Sequence, residues 1–269
     1  MAPVSSVRVG VFGAGGRMGQ TVCQAVVADP ELELVAAVDP HYAGFEVCQV
    51  AGVADCQVMV ASDPATFVEA GVDVAIDFTE ITAARANLHF LAANHIHAVV
   101  GTSGFGDGDL ADLSQRFIHS NCVIAPNFAI GAVLMMRFAE LAAPFFDTAE
   151  IVEFHHDQKI DAPSGTAMST AARMAAASTG WAPDPTTAEV LPGARGGRGD
   201  ADVPIHSVRM RGMVAHQEVI LGAAGQTLVI RHDSIDRTSF MPGVVLAAKR
   251  VAEFPGVTFG LDTVLGLGG

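Results

Sequence analysis

A chain of 269 residues, half of them hydrophobic and 16% charged, can bury one large α/β core or two modest ones, and is too apolar to be disordered. A formal net charge of −14 opposes binding to nucleic acid or an anionic membrane surface, both of which are held through Lys and Arg clusters. Any anionic ligand must therefore be caught by a local cationic site.

Residues 7–12 (VRVGVF) are a β-branched run expected as a strand, leading directly into Gly13-Ala14-Gly15-Gly16-Arg17-Met18-Gly19 and an amphipathic helix to about Asp29. The glycine fingerprint is Gly13, Gly15 or Gly16, and Gly19. A second strand, 34–38, ends at Asp39, 20 residues beyond Gly19. This is the context of a dinucleotide site: glycines for the turn and close pyrophosphate approach, a helix N-terminus for the phosphates, and an acid for the ribose 2′-OH. The same glycines interrupt any apolar run that a secretion signal would need, and a cytoplasmic location is expected. The four cysteines, Cys23, Cys48, Cys56 and Cys122, show no CxxC pair and no zinc-like spacing, so buried free thiols and no metal are expected.

The β/α rhythm continues. Asp63-Pro64 caps a short helix to Ala70, then follow a buried strand at 72–78, a helix at 79–94, a strand at 97–100, a helix near 108–120 and a strand at 121–125. Gly101-Thr102-Ser103 and Ala125-Pro126-Asn127-Phe128 fall at strand carboxyl ends, where a doubly wound parallel sheet holds its ligands. Taken alone, both are also compatible with ordinary turns. Residues 129–146 read as a long core helix, since Arg137 and Glu140 argue against a membrane span.

Beyond it the rhythm changes to strands at 148–154, 205–211, 214–221 and 226–234, with one helix at 167–178. Residues 183–204, rich in Gly, Pro and Asp, are expected as a mobile loop. A helix at 242–253 and a strand at 257–259 return to the first domain. The fold class is thus α/β: a Rossmann-like nucleotide-binding domain (1–128 and 241–269) plus an α+β, strand-rich substrate and oligomerisation domain (129–240).

The densest chemistry lies at 153–166, EFHHDQKIDAPSGT. His155, His156 and Lys159 precede a helix whose first turn offers the amides of Gly165 and Thr166, and helix N-termini bind anions. A loop that holds a carboxylate or phosphate beside protonatable groups, joined to a nicotinamide domain, points to hydride transfer coupled to proton transfer, with His155 and Lys159 as acids. A surface His pair before a capped helix is the blander alternative.

The string from Glu153 to Ala167, together with the loop Gly13–Gly19, Gly101-Thr102 and Pro126-Asn127-Phe128, resembles the 4-hydroxy-tetrahydrodipicolinate reductase family, also called dihydrodipicolinate reductase. The resemblance spans essentially the whole chain, including His216-Gln217-Glu218 and the stretch from Arg231 to Arg237. It implies reduction of a cyclic unsaturated imine dicarboxylate by NADH or NADPH in the diaminopimelate route to lysine. His155 would be the proton donor or acceptor and Lys159 a second proton donor, while His156, Gly165 and Thr166 would hold the carboxylates. Gly13, Ala14, Gly15, Gly16, Arg17, Met18, Asp39, Gly101, Thr102, Ser103, Ala125, Pro126, Asn127 and Phe128 would hold the cofactor. It also implies a homotetramer assembled through the strand-rich domain. Where some members carry Arg after the ribose acid, this chain has Pro40 and His41, so NADH preference is expected. Phe154, where smaller residues occur elsewhere, is expected to affect packing only. The rival readings are another Rossmann-type dehydrogenase, which would not need the His-His-Lys loop, and a nucleotide sensor without turnover.

Overall fold

The computed structural model describes residues 6–54, 56–199 and 202–267. Short apolar runs build a sheet from β1 (Val7–Phe12), β2 (Leu32–Val38), β3 (Val60–Ala61), β4 (Val74–Asp77), β5 (His97–Val100), β6 (Cys122–Ile124) and β12 (Val257–Phe259). All its pairings are parallel, in the order β12-β6-β5-β4-β1-β2-β3. Parallel neighbours need crossovers, and α1 (Arg17–Ala28), α2 (Val47–Ala51), α3 (Ala65–Glu69), α4 (Ile81–Ala93) and α5 (Asp107–Arg116) supply them. The chain winds outward from β1 on one side and from β4 on the other. Sheets with such a reversal hold their ligands at the carboxyl ends of the central strands. Val9, Val11, Ile76, Ala98 and Val99 are buried in the sheet, and the Phe12 and Phe67 rings pack 4.6 Å apart beside it.

The chain divides into two compact units, one running to Phe128 and resuming at Phe240, the other spanning Ala129–Ser239. In the first, α8 (Met241–Arg250) returns to pack against α1, and Lys249 Nζ lies 2.8 Å from Asp29. A side chain at Gly243 would meet the Phe128 carbonyl at 2.1 Å, so glycine lets α8 press against the end of the loop after β6.

In the second unit, β7 (Thr148–His155), β8 (Gly197–Arg198), β9 (Pro204–Arg209), β10 (Ala215–Ala223) and β11 (Gln226–Ser234) form a mixed sheet in the order β11-β10-β7-β9-β8, parallel only at β7–β9. Helices α6 (Ile130–Ala142) and α7 (Gly165–Ala177) pack against the sheet. The buried residues on the β7 and β10 strands are Ala149, Ile151, Glu153, Gln217, Val219 and Leu221.

Several elements differ from the sequence expectation: α5 ends at Arg116 rather than 120 and α8 at Arg250 rather than 253. Helix α6 ends at Ala142, because Pro144 tightens the next residues, Ala143–Phe145, into a 3₁₀ turn. Helix α2 and strand β3 are too short to show a period. The 183–204 segment is not structureless: β8 pairs with β9, and Arg195 and Arg198 both pair with Asp184 while Arg195 and His206 pair with Glu150. Its Gly-Pro-Asp composition hides a strand that distant charges pin.

Candidate active site

In the first unit the end of β1 turns at Gly13, whose φ of +64° only glycine adopts freely and whose N–H donates to Val38 O at 2.7 Å. Gly16 caps α1 and donates to Gly13 O at 2.9 Å, and a Cβ on Gly19 would stand 2.0 Å from the same oxygen. Ala14 is buried, while Arg17 and Met18 open the first turn of α1, whose amides have no intrahelical partner. Asp39, beyond β2, is buried to 7% exposure, and its carboxylate accepts from the Gly15 amide and the His41 amide, each at 3.0 Å. The glycine loop and the acid 20 residues on are thus brought together. The Tyr42 ring lies directly on Gly15, where a Cβ would come within 2.0 Å of it.

Gly101 follows β5 and Ala125 follows β6, at the same edge of the sheet as the glycine loop. Gly101 lets the Phe78 ring approach to 1.9 Å of where a Cβ would be, and Phe78 in turn packs 5.8 Å from the buried Phe128 ring. Thr102 Oγ1 donates to Thr79 O at 2.7 Å, and Ala125 N donates to Val100 O at 2.9 Å. Ser103 and Pro126 are exposed and Asn127 is half-buried. Beneath these loops lies Asp77, the last residue of β4. It is fully buried and accepts from Thr79 N, Thr79 Oγ1 and Asn87 Nδ2 at 2.7 to 2.8 Å. Burial raises its carboxyl above the usual range even though those bonds oppose the shift.

The second unit holds the His-Lys loop. His155 is the last residue of β7, with a side chain 16% exposed, and its Nδ1 lies 2.6 Å from Glu153 Oε2. A carboxylate only accepts, so Nδ1 carries the proton and Nε2 is the nitrogen with the free lone pair in the neutral ring. Burial lowers the His155 pKa below its ordinary value, and the Glu153 bond opposes this only in part. His156 is exposed and its carbonyl accepts from Lys159 N at 3.2 Å. Lys159 Nζ donates to both Asp161 oxygens, at 2.7 and 2.6 Å. Ser164 caps α7 by accepting from Ala167 N at 3.2 Å, and Gly165 and Thr166 form the helix's first turn. Nothing lies within 4 Å of a Cβ built on Gly165. His155 at the end of β7, Lys159 in the connection and the amide end of α7 are thus held within one short stretch of chain.

Two residues here escaped sequence reasoning as site residues. Glu153 is fully buried, and Arg209 grips it with two parallel bonds of 2.8 Å. The available signal was the i, i+2 relation of Glu153 to His155 on a strand; Arg209 lies on another strand, 56 residues on. Among the described residues no group of three or more His, Cys, Asp or Glu is placed to hold a metal ion, and no helix is long and apolar enough to cross a membrane.

Two family models cover nearly the whole chain: the N-terminal part of dihydrodipicolinate reductase over residues 7–128, and its C-terminal part over residues 131–265. The chain is 49% identical over 267 residues to 4-hydroxy-tetrahydrodipicolinate reductase of Mycobacterium ulcerans (strain Agy99), covering 97% of this chain and 100% of that one. It is 48% identical over 269 residues to the enzyme of the same name from Nocardia farcinica (strain IFM 10152), again covering 97% and 100%. Among solved structures, a dipicolinate-bound dihydrodipicolinate reductase from Paenisporosarcina sp. TG-14 superposes with a TM-score of 0.84 at 39% identity, over 96% of this chain and 99% of that one. An amine dehydrogenase from Mycobacterium smegmatis shares the fold, with a TM-score of 0.68 at 16% identity over 96% of both chains.

Proposed function

The chain belongs to the 4-hydroxy-tetrahydrodipicolinate reductase family and is an NAD(P)H-dependent oxidoreductase of diaminopimelate and lysine biosynthesis; from that premise we propose how its own residues carry the reaction. The first unit fits a dinucleotide: a left-handed Gly13, a Gly19 with no room for a side chain, open first-turn amides on α1, and a buried acid fixed to the loop. When bound, the reduced nicotinamide supplies a hydride to the unsaturated ring of a cyclic imine dicarboxylate. The substrate's carboxylates sit against the Gly165 and Thr166 amides and the His156 side chain, a helix N-terminus being a natural anion site.

His155 Nε2 delivers the proton that completes the reduction, because Nδ1 is committed to Glu153. In the free protein burial favours the neutral imidazole. A dianionic substrate beside it favours the imidazolium, so the acid forms where the substrate sits. Lys159, the second donor, turns from Asp161 toward the ligand and offsets one of its negative charges. The observation that carries this reading is the convergence of an oriented His155, Lys159 and the α7 amides within one short stretch of chain.

NADH is the preferred reductant. Asp39 accepts from a free 2′-OH and repels a 2′-phosphate, and Pro40 and His41 put no guanidinium beside it. The protein assembles as a homotetramer through the second unit's sheet. The face bearing Val152, Phe154, Val208, Ile220 and Val229 is opposite the buried one, and its half-buried apolar residues need a covering partner. Its four free thiols, with Cys23 pushed up to about 12 by burial, suit a reducing cytoplasm.

The test is oxidation of NADH, and separately of NADPH, by the purified protein, with substrate generated in situ from pyruvate and aspartate semialdehyde by the preceding synthase. His155→Ala and Lys159→Ala are each expected to lower kcat by roughly 10² to 10⁴. Full activity in either variant overturns that residue's role, and a kcat/KM clearly higher with NADPH overturns the cofactor preference.

A further inference from the structure

Glu153 is a carboxylate with no exposed surface, yet four donors converge on it. Arg209 Nη1 donates to Oε2 and Nη2 to Oε1, both at 2.8 Å; Ser164 N donates to Oε1 at 3.2 Å; and His155 Nδ1 donates to Oε2 at 2.6 Å. A carboxylate offers about four lone-pair sites, so it is saturated. Burial works against its charge, but Arg209 and His155 hold its carboxyl below the usual range. Arg209 also donates through Nη2 to Asp161 O at 2.8 Å, reaching the residue that holds Lys159. Three parts of the site therefore meet at the Glu153–Arg209 pair: the imidazole and the N-cap of α7 on Glu153, and the segment carrying the lysine on Arg209.

We infer that Glu153, seated by Arg209, is a positioning residue that fixes His155 as its Nδ1–H tautomer and locks the first turn of α7 in register with it. This rests on His155 being the proton donor proposed above. The charged groups that act on His155 are Glu153 on its own strand, Lys159 on the following loop, and Arg209, its cross-strand partner on β9; its partner on β10 is the uncharged Ala215. Glu153 is the only anion among them, so removing its charge leaves two cations facing the ring.

The amide of a Glu153→Gln variant must donate, and since Arg209 cannot accept, it turns its N–H toward His155 Nδ1 and reverses the tautomer. In the full-length enzyme, NMR of labelled histidine nitrogens should show His155 passing from Nδ1–H to Nε2–H. Roughly a 10²- to 10⁴-fold fall in kcat should accompany it, with little change in substrate KM. Because the imidazolium is the acid, activity is lost as pH rises through the His155 pKa in the complex, and this limb should move to lower pH in Glu153→Gln. Glu153→Asp, which keeps the charge, should return the limb toward its original position. If Glu153→Gln does not fold, Arg209→Lys carries the test: a loosened Glu153 should lower the Nδ1–H fraction and shift the limb the same way. A folded variant whose tautomer and pH limb match the parent overturns the inference. The tautomer is read without substrate, so it decides the matter even if the parent enzyme proves inactive on the cyclic imine, a result that would overturn only the functional reading.

Discussion

At the scale of single residues, glycines of one type in the sequence do opposite work in the fold. A Cβ on Gly19 would meet Gly13 O at 2.0 Å, Gly13 C at 2.7 Å and Ala14 Cα at 2.9 Å, all of them backbone that cannot rotate away. Gly19→Ala must therefore move the loop, costing about 1 to 3 kcal/mol in stability and weakening NADH at least roughly tenfold. Urea denaturation and calorimetric titration of NADH check both. Gly165 has open space where a Cβ would stand, so Gly165→Ala should fold with a stability unchanged within about 0.5 kcal/mol. Its methyl group would instead occupy the room of the ligand's carboxylate, raising substrate KM while leaving the NADH KM unchanged. Equal KM values for parent and variant would remove Gly165 from the substrate site. The glycine pattern and the His-His-Lys string were legible because each sits within a few residues of sequence. The Glu153–Arg209 pair was not, since the two strands that align them meet only in the fold.

At the scale of elements, β1, β5, β11 and β12 emerge at the residues the periodicity marks, because a β-branched run bounded by turn residues has few alternatives. What holds such elements to one another was invisible. His97, the first residue of β5, accepts from Asn121 N through Nδ1 at 2.9 Å, and the Asn121 side chain in turn donates to Val251 O and Ala252 O, both at 3.0 Å, and accepts from Gly256 N at 3.2 Å. One imidazole thereby ties β5, the start of β6 and the approach to β12. Burial depresses its pKa below 6.5, with Asp73 opposing. The unfolded chain therefore binds the proton more readily than the folded one. Stability is fully present above the unfolded pKa and is lost as pH falls through 6.5 toward the folded value. His97→Gln keeps an acceptor that cannot titrate. Between pH 7 and pH 5 the parent should lose about 1 kcal/mol more stability than this variant, the worth of the bond that protonation breaks. His155 and His232 are depressed in the same direction but titrate in both proteins, so the difference isolates His97. Parallel pH curves would refute the assignment.

At the scale of the whole molecule, composition and sheet topology pull in opposite directions. Each chain carries a formal charge of −14, which sets copies against one another. Yet β11 is an edge strand on which Val229 is 50% exposed, and Val229 stands opposite Ile220 on the face away from the buried Val219 and Leu221. Edge strands and apolar sheet faces left in water invite pairing. If the tetramer forms on this face, apolar burial must overcome a repulsion that salt screens, with a screening length of about 30 Å at 0.01 M falling to about 8 Å at 0.15 M. Light scattering should therefore find smaller species at low ionic strength and tetramers at physiological salt. Placing two further carboxylates on the face, Ile220→Glu with Val229→Glu, should leave the smaller species at both salt concentrations. The residues that hold His155 in place, Glu153 and Arg209, come from the same sheet, but Glu153 points to the buried side. The dissociated variant should consequently keep its folded nucleotide unit and bind NADH as the parent does. A tetramer that survives both charges would place the assembly surface elsewhere on the chain.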